Sequence, residues 1–319
     1  MQKHLFIWFK VVVSITLLAI TFNLVGADNL WHLLRDAAWQ PLVLATLLLV
    51  IAGFTGMGAW HALLQSHSSS IPLISITAAH WSGMFFNSFL PTNIGGDIIR
   101  GTLITPHVPQ RHFIVASLIA DRLLGLYSLA MIGAIALTDK LYGTTAACIV
   151  AVCATLLVII TPLIAKTLLR TQPPSRFAPY RLARIFWSIV TITATPRPFL
   201  KAALYSLITQ IIRVWQNLFI IKALALNIPE VDIWTIIPVF GIVSALPLSI
   251  GGLGLREYVA QAMAGSINLS SLHLITLSLV GHALVIATNS LGLIPFLVTR
   301  PPSQRGTQKS RTSSIADAS

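Results

Sequence analysis

Long apolar runs separated by short polar segments dominate this chain. An α-helix needs about 20 apolar residues to cross a bilayer. Six uninterrupted runs reach that length, namely 5–27, 39–64, 112–137, 142–169, 200–224 and 272–299. Two further apolar stretches, 71–104 and 233–265, are interrupted by Pro and Gly near their middles. The pattern therefore predicts an all-α polytopic membrane protein.

The composition supports this prediction and excludes other classes. Of the 319 residues 55% are hydrophobic and only 9% are charged, with a mean hydropathy of +0.81. A soluble domain carries about 25% charged residues. A soluble globular enzyme, a disordered chain and a disulfide scaffold are therefore all excluded. The net charge of +12 would indicate nucleic-acid binding in a soluble protein, but membrane proteins concentrate Lys and Arg in their cytoplasmic loops.

The distribution of the charges predicts the topology. Most of the Lys and Arg residues fall in one set of alternating loops, whereas the other set is mainly acidic. The positive-inside rule then places the basic loops and both termini in the cytoplasm. This topology is consistent only if each interrupted stretch enters the membrane and leaves it again on the same side. We therefore expect six full spans and two re-entrant helical hairpins.

The same pattern predicts one transmembrane domain over 1–299. The first run is expected to be an uncleaved span, because no A-x-A site follows it. A basic, Pro-rich cytoplasmic linker covers about 170–199, and its segment with Arg181, Arg184, Phe186 and Trp187 predicts an interfacial helix. The polar residues 300–319 predict a disordered cytoplasmic tail.

The two interruptions have matching sequences. Residues 89–100 read FLPTNIGGDIIR and residues 245–256 read ALPLSIGGLGLR, and both fit L-P-x-x-I-G-G-x-x-x-R. At the same offset the run 39–64 aligns with 200–224. The repeat halves are thus about 39–137 and 200–293. Because the predicted topology orients them oppositely, we expect an inverted-topology repeat, which is typical of secondary transporters that bind substrate near the membrane midplane.

Each interruption combines residues that suit an anion site. Pro ends a helix, and the Gly pair lets the backbone turn back. A helix that resumes after Gly96 or Gly252 presents N–H groups and a positive dipole end, and Arg100 or Arg256 follows one turn later. Such a group of donors suits a phosphate. The alternative interpretation is a helix break that serves packing only, while a nucleotide site is disfavoured because no complete G-x-G-x-x-G motif is present.

Further charged residues lie inside apolar runs, where they are unfavourable unless they have a partner or face a cavity. Three explanations stay open: ion pairing, for instance of Asp121 with Arg256 or of Asp97 with Arg122, contact with a head group, and proton coupling through the acidic residues. These candidates are Asp121, Arg122, Arg213, Lys222 and Glu257. Interhelical hydrogen bonds are expected for Asn87, Asn217 and Asn289. The histidines and the two cysteines form no metal-ligand spacing, so neither a metal nor another cofactor is expected.

Three segments in order resemble a known family. They are NSFLPTNIGGD at 87–97, DRLLGL at 121–126 and LPLSIGGLGLRE at 246–257. Together they resemble the signatures of the lysylphosphatidylglycerol synthase transmembrane-region family, which is also described as flippase-like. The resemblance covers most of the chain, from about residue 37 to 299.

The resemblance implies an inner-membrane protein that takes part in lipid translocation. The family includes the flippase domain of the multiple peptide resistance factor. That domain moves aminoacylated phosphatidylglycerol between leaflets. The motif match implies a set of substrate-binding candidates. They are Asn93, Gly95, Gly96, Asp97, Arg100, Asp121, Arg122, Gly251, Gly252, Arg256 and Glu257. The soluble acyltransferase domain of the full-length synthase does not follow before Ser319, so aminoacyl transfer is not expected.

The leading functional prediction is a lipid translocator that binds an anionic or phosphate-bearing head group at the midplane. One alternative is an intramembrane transferase acting on a lipid-linked substrate, and another is a membrane scaffold for a separate lipid-modifying synthase. The expected partner is a membrane lipid and not nucleic acid. A homodimer and an association with a lipid-modifying enzyme both stay open.

Overall fold

The computed structural model describes residues 35–67, 71–90, 95–170, 180–246, 254–266 and 269–298. All regular structure in these residues is helical. The helices are α1 (Trp39–Gln65), α2 (Leu73–Phe89), α3 (Gly95–Ile104), α4 (Arg111–Tyr142), α5 (Thr144–Arg170), α6 (Arg181–Ala194), α7 (Pro196–Ala223), α8 (Glu230–Ala245), α9 (Leu255–Ser266), α10 (Ser271–Ser290) and α11 (Leu293–Val298). The predicted first span and the predicted tail lie outside the described residues.

Five helical segments of this part of the chain are long and apolar enough to cross a membrane. They are α1, α4, α5, α7 and the continuous segment Ser271–Val298 formed by α10 and α11. They coincide with five of the six predicted runs, which confirms a multi-pass membrane protein. The boundary between α4 and α5 falls at Gly143, whose φ of 82° favours glycine and whose N–H donates to the carbonyl of Asp139.

Each interrupted stretch forms two helices, as the Pro residues predict. Helices α2 and α8 end at Phe89 and Ala245, and Leu90 and Leu246 are extended. The residue before a proline disfavours the helical conformation, because its backbone collides with the proline ring. Helices α3 and α9 follow after each break. The residues of the breaks themselves, including Asn93, Gly251 and Gly252, lie outside the described residues.

Helices α1 and α7 pack against each other in opposite directions. At one end the N–H of Ala38 donates to the carbonyl of Ala223 over 2.7 Å, and further along the hydroxyls of Thr55 and Thr209 are 2.7 Å apart. Residue numbers therefore fall along α7 as they rise along α1. This is the relative direction that an inverted repeat requires of these two helices.

Two hydrophobic clusters lie at the two ends of this helix pair. The first cluster contains Leu64 and Phe113 together with Ile71 and Ile104, the two ends of the first interrupted stretch. The second contains Ala223, Ile233 and Ala264, so it likewise includes both ends of the second stretch. Each pair of shorter helices therefore begins and ends at the same end of the long helices.

The acidic loops of the predicted topology also meet at one end. Lys140 Nζ lies 2.6 Å from Asp232 Oδ1, and Lys222 Nζ lies 3.4 Å from Glu230 Oε1. These contacts join the end of α4 and the end of α7 to the start of α8. Lys140, Glu230 and Asp232 all belong to the mainly acidic set of loops, which the positive-inside rule places on one side, and the contacts agree with this grouping.

The predicted amphipathic helix of the linker forms as α6. Arg181, Leu182 and Phe186 are exposed, whereas Ile192 and Ala194 are buried against α4, α5 and α7. One face of α6 therefore packs against the other helices, and the opposite face exposes arginines beside apolar side chains. Its position at a membrane surface stays a prediction.

Helices α10 and α11 contact α2 closely. Asn289 Nδ2 donates to Ser88 Oγ over 2.8 Å. The backbone of Gly292 lies directly against the main-chain carbonyl of Trp81, with no room for a Cβ atom. Only glycine permits this close approach of the two halves.

We expect Gly292→Ala to lower the melting temperature of the detergent-purified protein. Its new methyl group would collide with the Trp81 carbonyl and force the backbones apart, and overpacking of this kind costs about 1–3 kcal/mol. Gly265→Ala is the matched control, because a Cβ at Gly265 meets nothing within 4 Å. Equal melting of the Gly292→Ala variant and the wild type would contradict the proposed close approach.

Candidate functional site

A polar cavity of about 640 Å³ lies among the helices. It is bounded by α1 and α7, by the four shorter helices of the two interrupted stretches, and by α4 and α10. Five glycines are among the lining residues; they are Gly53, Gly56, Gly125, Gly241 and Gly281. The cavity is lined by six charged side chains, namely Asp97, Arg100, Asp121, Arg122, Arg213 and Arg256. Both interrupted stretches therefore contribute charge to one space.

Four of these charges form a continuous chain, which we call the four-charge cluster. Arg122 Nε lies 2.6 Å from Asp97 Oδ2, and Arg100 Nε lies 3.0 Å from Asp97 Oδ1. Arg100 Nη2 donates in turn to Asp121 Oδ2 over 2.9 Å. Arg100 and Asp97 are buried, and the guanidinium of Arg100 also lies 4.7 Å from the ring centre of Trp60. The cluster links α3 to α4 and has no net charge.

The four-charge cluster tests two sequence-based predictions. The predicted pair of Asp97 with Arg122 forms and is confirmed. The predicted pair of Asp121 with Arg256 is wrong, because Asp121 pairs with Arg100. The reason is the packing of the helices: α3 lies against α4, whereas α9, which carries Arg256, lies against α8 and α10.

The beginnings of α3 and α9 are held by side chains of the protein itself. The N–H of Gly96 donates to Asn87 Oδ1 over 2.9 Å, and the N–H of Gly254 donates to Glu257 Oε2 over 2.7 Å. The expectation that the resumed helices leave these groups free for an anion is therefore wrong at Gly96 and Gly254. Capping by a nearby side chain satisfies them locally.

Glu257 does not line the cavity but stabilises the packing of α9 against α10. Its side chain is fully buried, and its second carboxylate oxygen accepts a hydrogen bond of 2.7 Å from Ser278 Oγ on α10. The carboxylate thereby fixes the start of α9 against α10. The two hydrogen bonds satisfy both carboxylate oxygens, and the adjacent Arg256 supplies the nearby positive charge that a buried carboxylate requires.

Arg213 and Arg256 differ from the other two cavity arginines. Among the described residues neither has a carboxylate within 4.0 Å. Arg213 lies near the middle of α7 and is exposed towards the cavity, and Arg256 lies 5.4 Å from the ring centre of Phe240. The buried carboxylate of Glu257 lies next to Arg256 in the chain and attracts it without a direct ion pair. Arg213, Arg256 and Glu257 together leave one excess positive charge on this side of the cavity.

Amide side chains surround Arg213 on α7. Asn217 Nδ2 donates to the carbonyl of Arg213 over 2.8 Å and to Gln216 Oε1 over 2.9 Å. The predicted interhelical bond of Asn217 is therefore wrong, since these contacts stay within its own helix. For Asn87 and Asn289 the prediction is confirmed. Gln216 Nε2 is buried and finds no hydrogen-bond partner in the described part of the chain.

The structure sorts the predicted site residues into three groups. Asp97, Arg100, Asp121, Arg122 and Arg256 line the cavity. Gly95, Gly96 and Glu257 support the helices behind it, whereas Asn93, Gly251 and Gly252 lie outside the described residues. Sequence reasoning missed Arg213 as a site residue, although its position inside an apolar run had marked it as a charge at depth. Among the described residues no three His, Cys, Asp or Glu side chains are grouped as a metal would require.

The helices and the cavity define a multi-pass, all-α membrane protein with a basic interior. Residues 7–291 match the family described as "Lysylphosphatidylglycerol synthase TM region", and the chain belongs to that family. The match includes all three segments on which the resemblance was based, so that prediction is confirmed. A comparison with curated proteins found no match.

Proposed function

We propose that this protein moves a phosphate-bearing membrane lipid between the two leaflets, with the head group passing through the central cavity. The observation that carries the proposal is the charge of the cavity wall. Four arginines and two aspartates line it, which is an excess of two positive charges when the histidines are counted as neutral. Charges at membrane depth are unfavourable without a partner, and a lipid phosphate supplies one.

The volume of the cavity supports a head group as its ligand. Sites for small molecules enclose about 300–1,000 Å³, and this cavity has about 640 Å³. The acyl chains stay in the hydrocarbon region, because moving them out of it would cost about 0.8 kcal/mol for each CH₂ group. Only the polar part of the lipid then needs a protein path.

The arrangement of the helices supports alternating access. We propose that the chain is an inverted-topology repeat with six full spans, and that both interrupted stretches are re-entrant hairpins. In such folds one bundle rocks against the other around a site near the midplane. The opposite directions of α1 and α7 agree with this plan. The distribution of Lys and Arg supports an inner-membrane protein with both termini in the cytoplasm.

The test is leaflet transfer of a fluorescent anionic phospholipid in proteoliposomes. We expect the purified protein to accelerate transfer relative to liposomes without protein and to liposomes with heat-inactivated protein. The label in the outer leaflet is quenched chemically, so the unquenched fraction measures the lipid that has moved. Unaccelerated transfer would contradict the proposal. Conversion of the lipid to a new product would favour the intramembrane transferase instead.

A further inference from the structure

Two arginines at matching positions of the repeated segment have different surroundings. Pro91 corresponds to Pro247, an offset of 156 residues, and the same offset relates Arg100 to Arg256. Arg100 has two carboxylates within 3.0 Å, those of Asp97 and Asp121. Its charge is therefore compensated within the protein.

In the second half, leucines stand at the positions that correspond to the two carboxylate partners of Arg100. Asp97 corresponds to Leu253 and Asp121 corresponds to Leu277, which is fully buried in an apolar cluster. Segment 247–253 contains no ionisable residue. Glu257, next to Arg256 in the chain, accepts hydrogen bonds from Gly254 and Ser278 and makes no direct ion pair with Arg256. The second half thus repeats the cation without the two aspartates that pair with it in the first half, and Glu257 is the one carboxylate near it among the described residues.

A second arginine adds positive charge on this side of the cavity. Arg213 faces the same cavity from α7, so two arginines and one glutamate, Glu257, leave one excess positive charge here. Four polar atoms on this side are buried without a hydrogen-bond partner in the described residues, namely the donors Arg256 Nε and Gln216 Nε2 and the acceptors Gln210 Oε1 and Asn217 Oδ1. Unsatisfied buried polar groups are unfavourable, and of the two donors one belongs to Arg256 and the other lies one turn after Arg213 on α7. An anion with several acceptor oxygens would satisfy the donors and the charges together.

We propose that Arg213 and Arg256 hold the phosphate of a net-anionic phospholipid, and that the four-charge cluster takes no part in binding its charge. That the ligand is a lipid rests on the proposed function. That the ligand is net anionic rests on the charge of the cavity alone. Lysylphosphatidylglycerol, named in the family description, has two amino groups and a net positive charge. Its amines would meet an excess of positive charge and no free carboxylate, because Asp97 and Asp121 are both paired with arginines.

Equilibrium binding to the detergent-solubilised full chain ranks the head groups without requiring transfer. The probes are phosphatidylglycerol, phosphatidylcholine and lysylphosphatidylglycerol with identical acyl chains, and soluble glycerol 3-phosphate. We expect phosphatidylglycerol to bind at least tenfold more tightly than phosphatidylcholine or lysylphosphatidylglycerol. Equal or tighter binding of lysylphosphatidylglycerol would overturn the inference. Binding of glycerol 3-phosphate without binding of any phospholipid would overturn the lipid assignment.

An isosteric substitution tests the role of Arg213 in the same assay. Gln210 lines the cavity one turn before Arg213, and residues three apart on a helix are neighbours. In Gln210→Glu the new carboxylate should pair with Arg213 and lower phosphatidylglycerol affinity at least tenfold. Gln210→Met is the uncharged control and should bind at least tenfold more tightly than Gln210→Glu. Equal affinity of the two variants for phosphatidylglycerol would overturn the inference. If Gln210→Glu does not fold, the order in which the wild type binds the three lipids tests the inference instead.

The two proposals fail in different ways. A protein that prefers phosphatidylglycerol but does not accelerate its transfer would contradict the proposed function and support the charge selectivity. A protein that transfers all lipids equally and binds them with equal affinity would contradict the charge selectivity and leave translocation in place.

Discussion

Arg256→Gln is expected to reduce the rate of anionic-lipid transfer in proteoliposomes by at least tenfold. The substitution removes one of the two cavity cations that have no carboxylate partner among the described residues. A hydrogen bond to a charged group contributes about 1.5–3 kcal/mol, and each 1.4 kcal/mol corresponds to a tenfold change in affinity. Gln keeps a polar amide but is two bonds shorter than Arg, so the loss combines charge and reach, which Arg256→Lys helps to separate.

Two further variants separate charge from geometry at this position. Arg256→Lys keeps the charge but not the planar fork of donors, and we expect it to retain part of the activity. Arg181→Gln removes an exposed arginine of α6, which does not line the cavity, and should transfer lipid as the wild type does. Equal activity of Arg256→Gln and Arg181→Gln would show that the cavity charge is irrelevant to transfer.

Arg213 illustrates what the sequence could and could not provide for the site. A charge near the middle of an apolar run is visible in the sequence, because it is unfavourable in hydrocarbon. The sequence did not reveal that its side chain faces the cavity, since α7 carries polar and apolar residues without a clear one-sided pattern. That assignment depends on how α7 packs against α1, which is a long-range property.

The long helices were the most predictable part of the fold. Bilayer thickness fixes their minimum length, so apolar run length alone located α1, α4, α5 and α7. Pro91 and Pro247, each followed by a Gly pair, located the two breaks, because proline disfavours the helical conformation of the residue before it. Proline alone does not end a helix, since Pro162 and Pro238 lie inside α5 and α8.

The partners of the buried charges were less predictable. Along the sequence, Asp97 and Asp121 are each near several arginines. Only the packing of α3 against α4 shows that Asp121 pairs with Arg100. Similarly, Asn87 takes the N–H of Gly96 because the two helices of the first stretch touch at Gly83. The structure thus moves the candidate anion contact away from the helix ends and towards the two unpaired arginines.

Asp97→Asn is expected to have the largest effect on stability, because Asp97 contacts two arginines at once. Removing one partner of a buried ion pair costs about 3–5 kcal/mol, since it leaves a charge without compensation. The low end of that range applies here, because Arg100 keeps Asp121 and Arg122 is partly exposed. We expect a clearly lower melting temperature in detergent and weakened packing of α3 on α4.

A double-mutant cycle with Arg122 identifies the origin of this loss. If the contact of Asp97 with Arg122 contributes to the loss, Asp97→Asn combined with Arg122→Gln should lose less stability than the sum of the two single variants. Arg100 would still donate to Asp121 in the double variant, so α3 and α4 remain linked. Strictly additive losses in the cycle would contradict the direct contact of 2.6 Å between Asp97 and Arg122. Lipid selectivity should survive in the double variant, since a neutral pair is removed and the excess charge at Arg213 and Arg256 is unchanged.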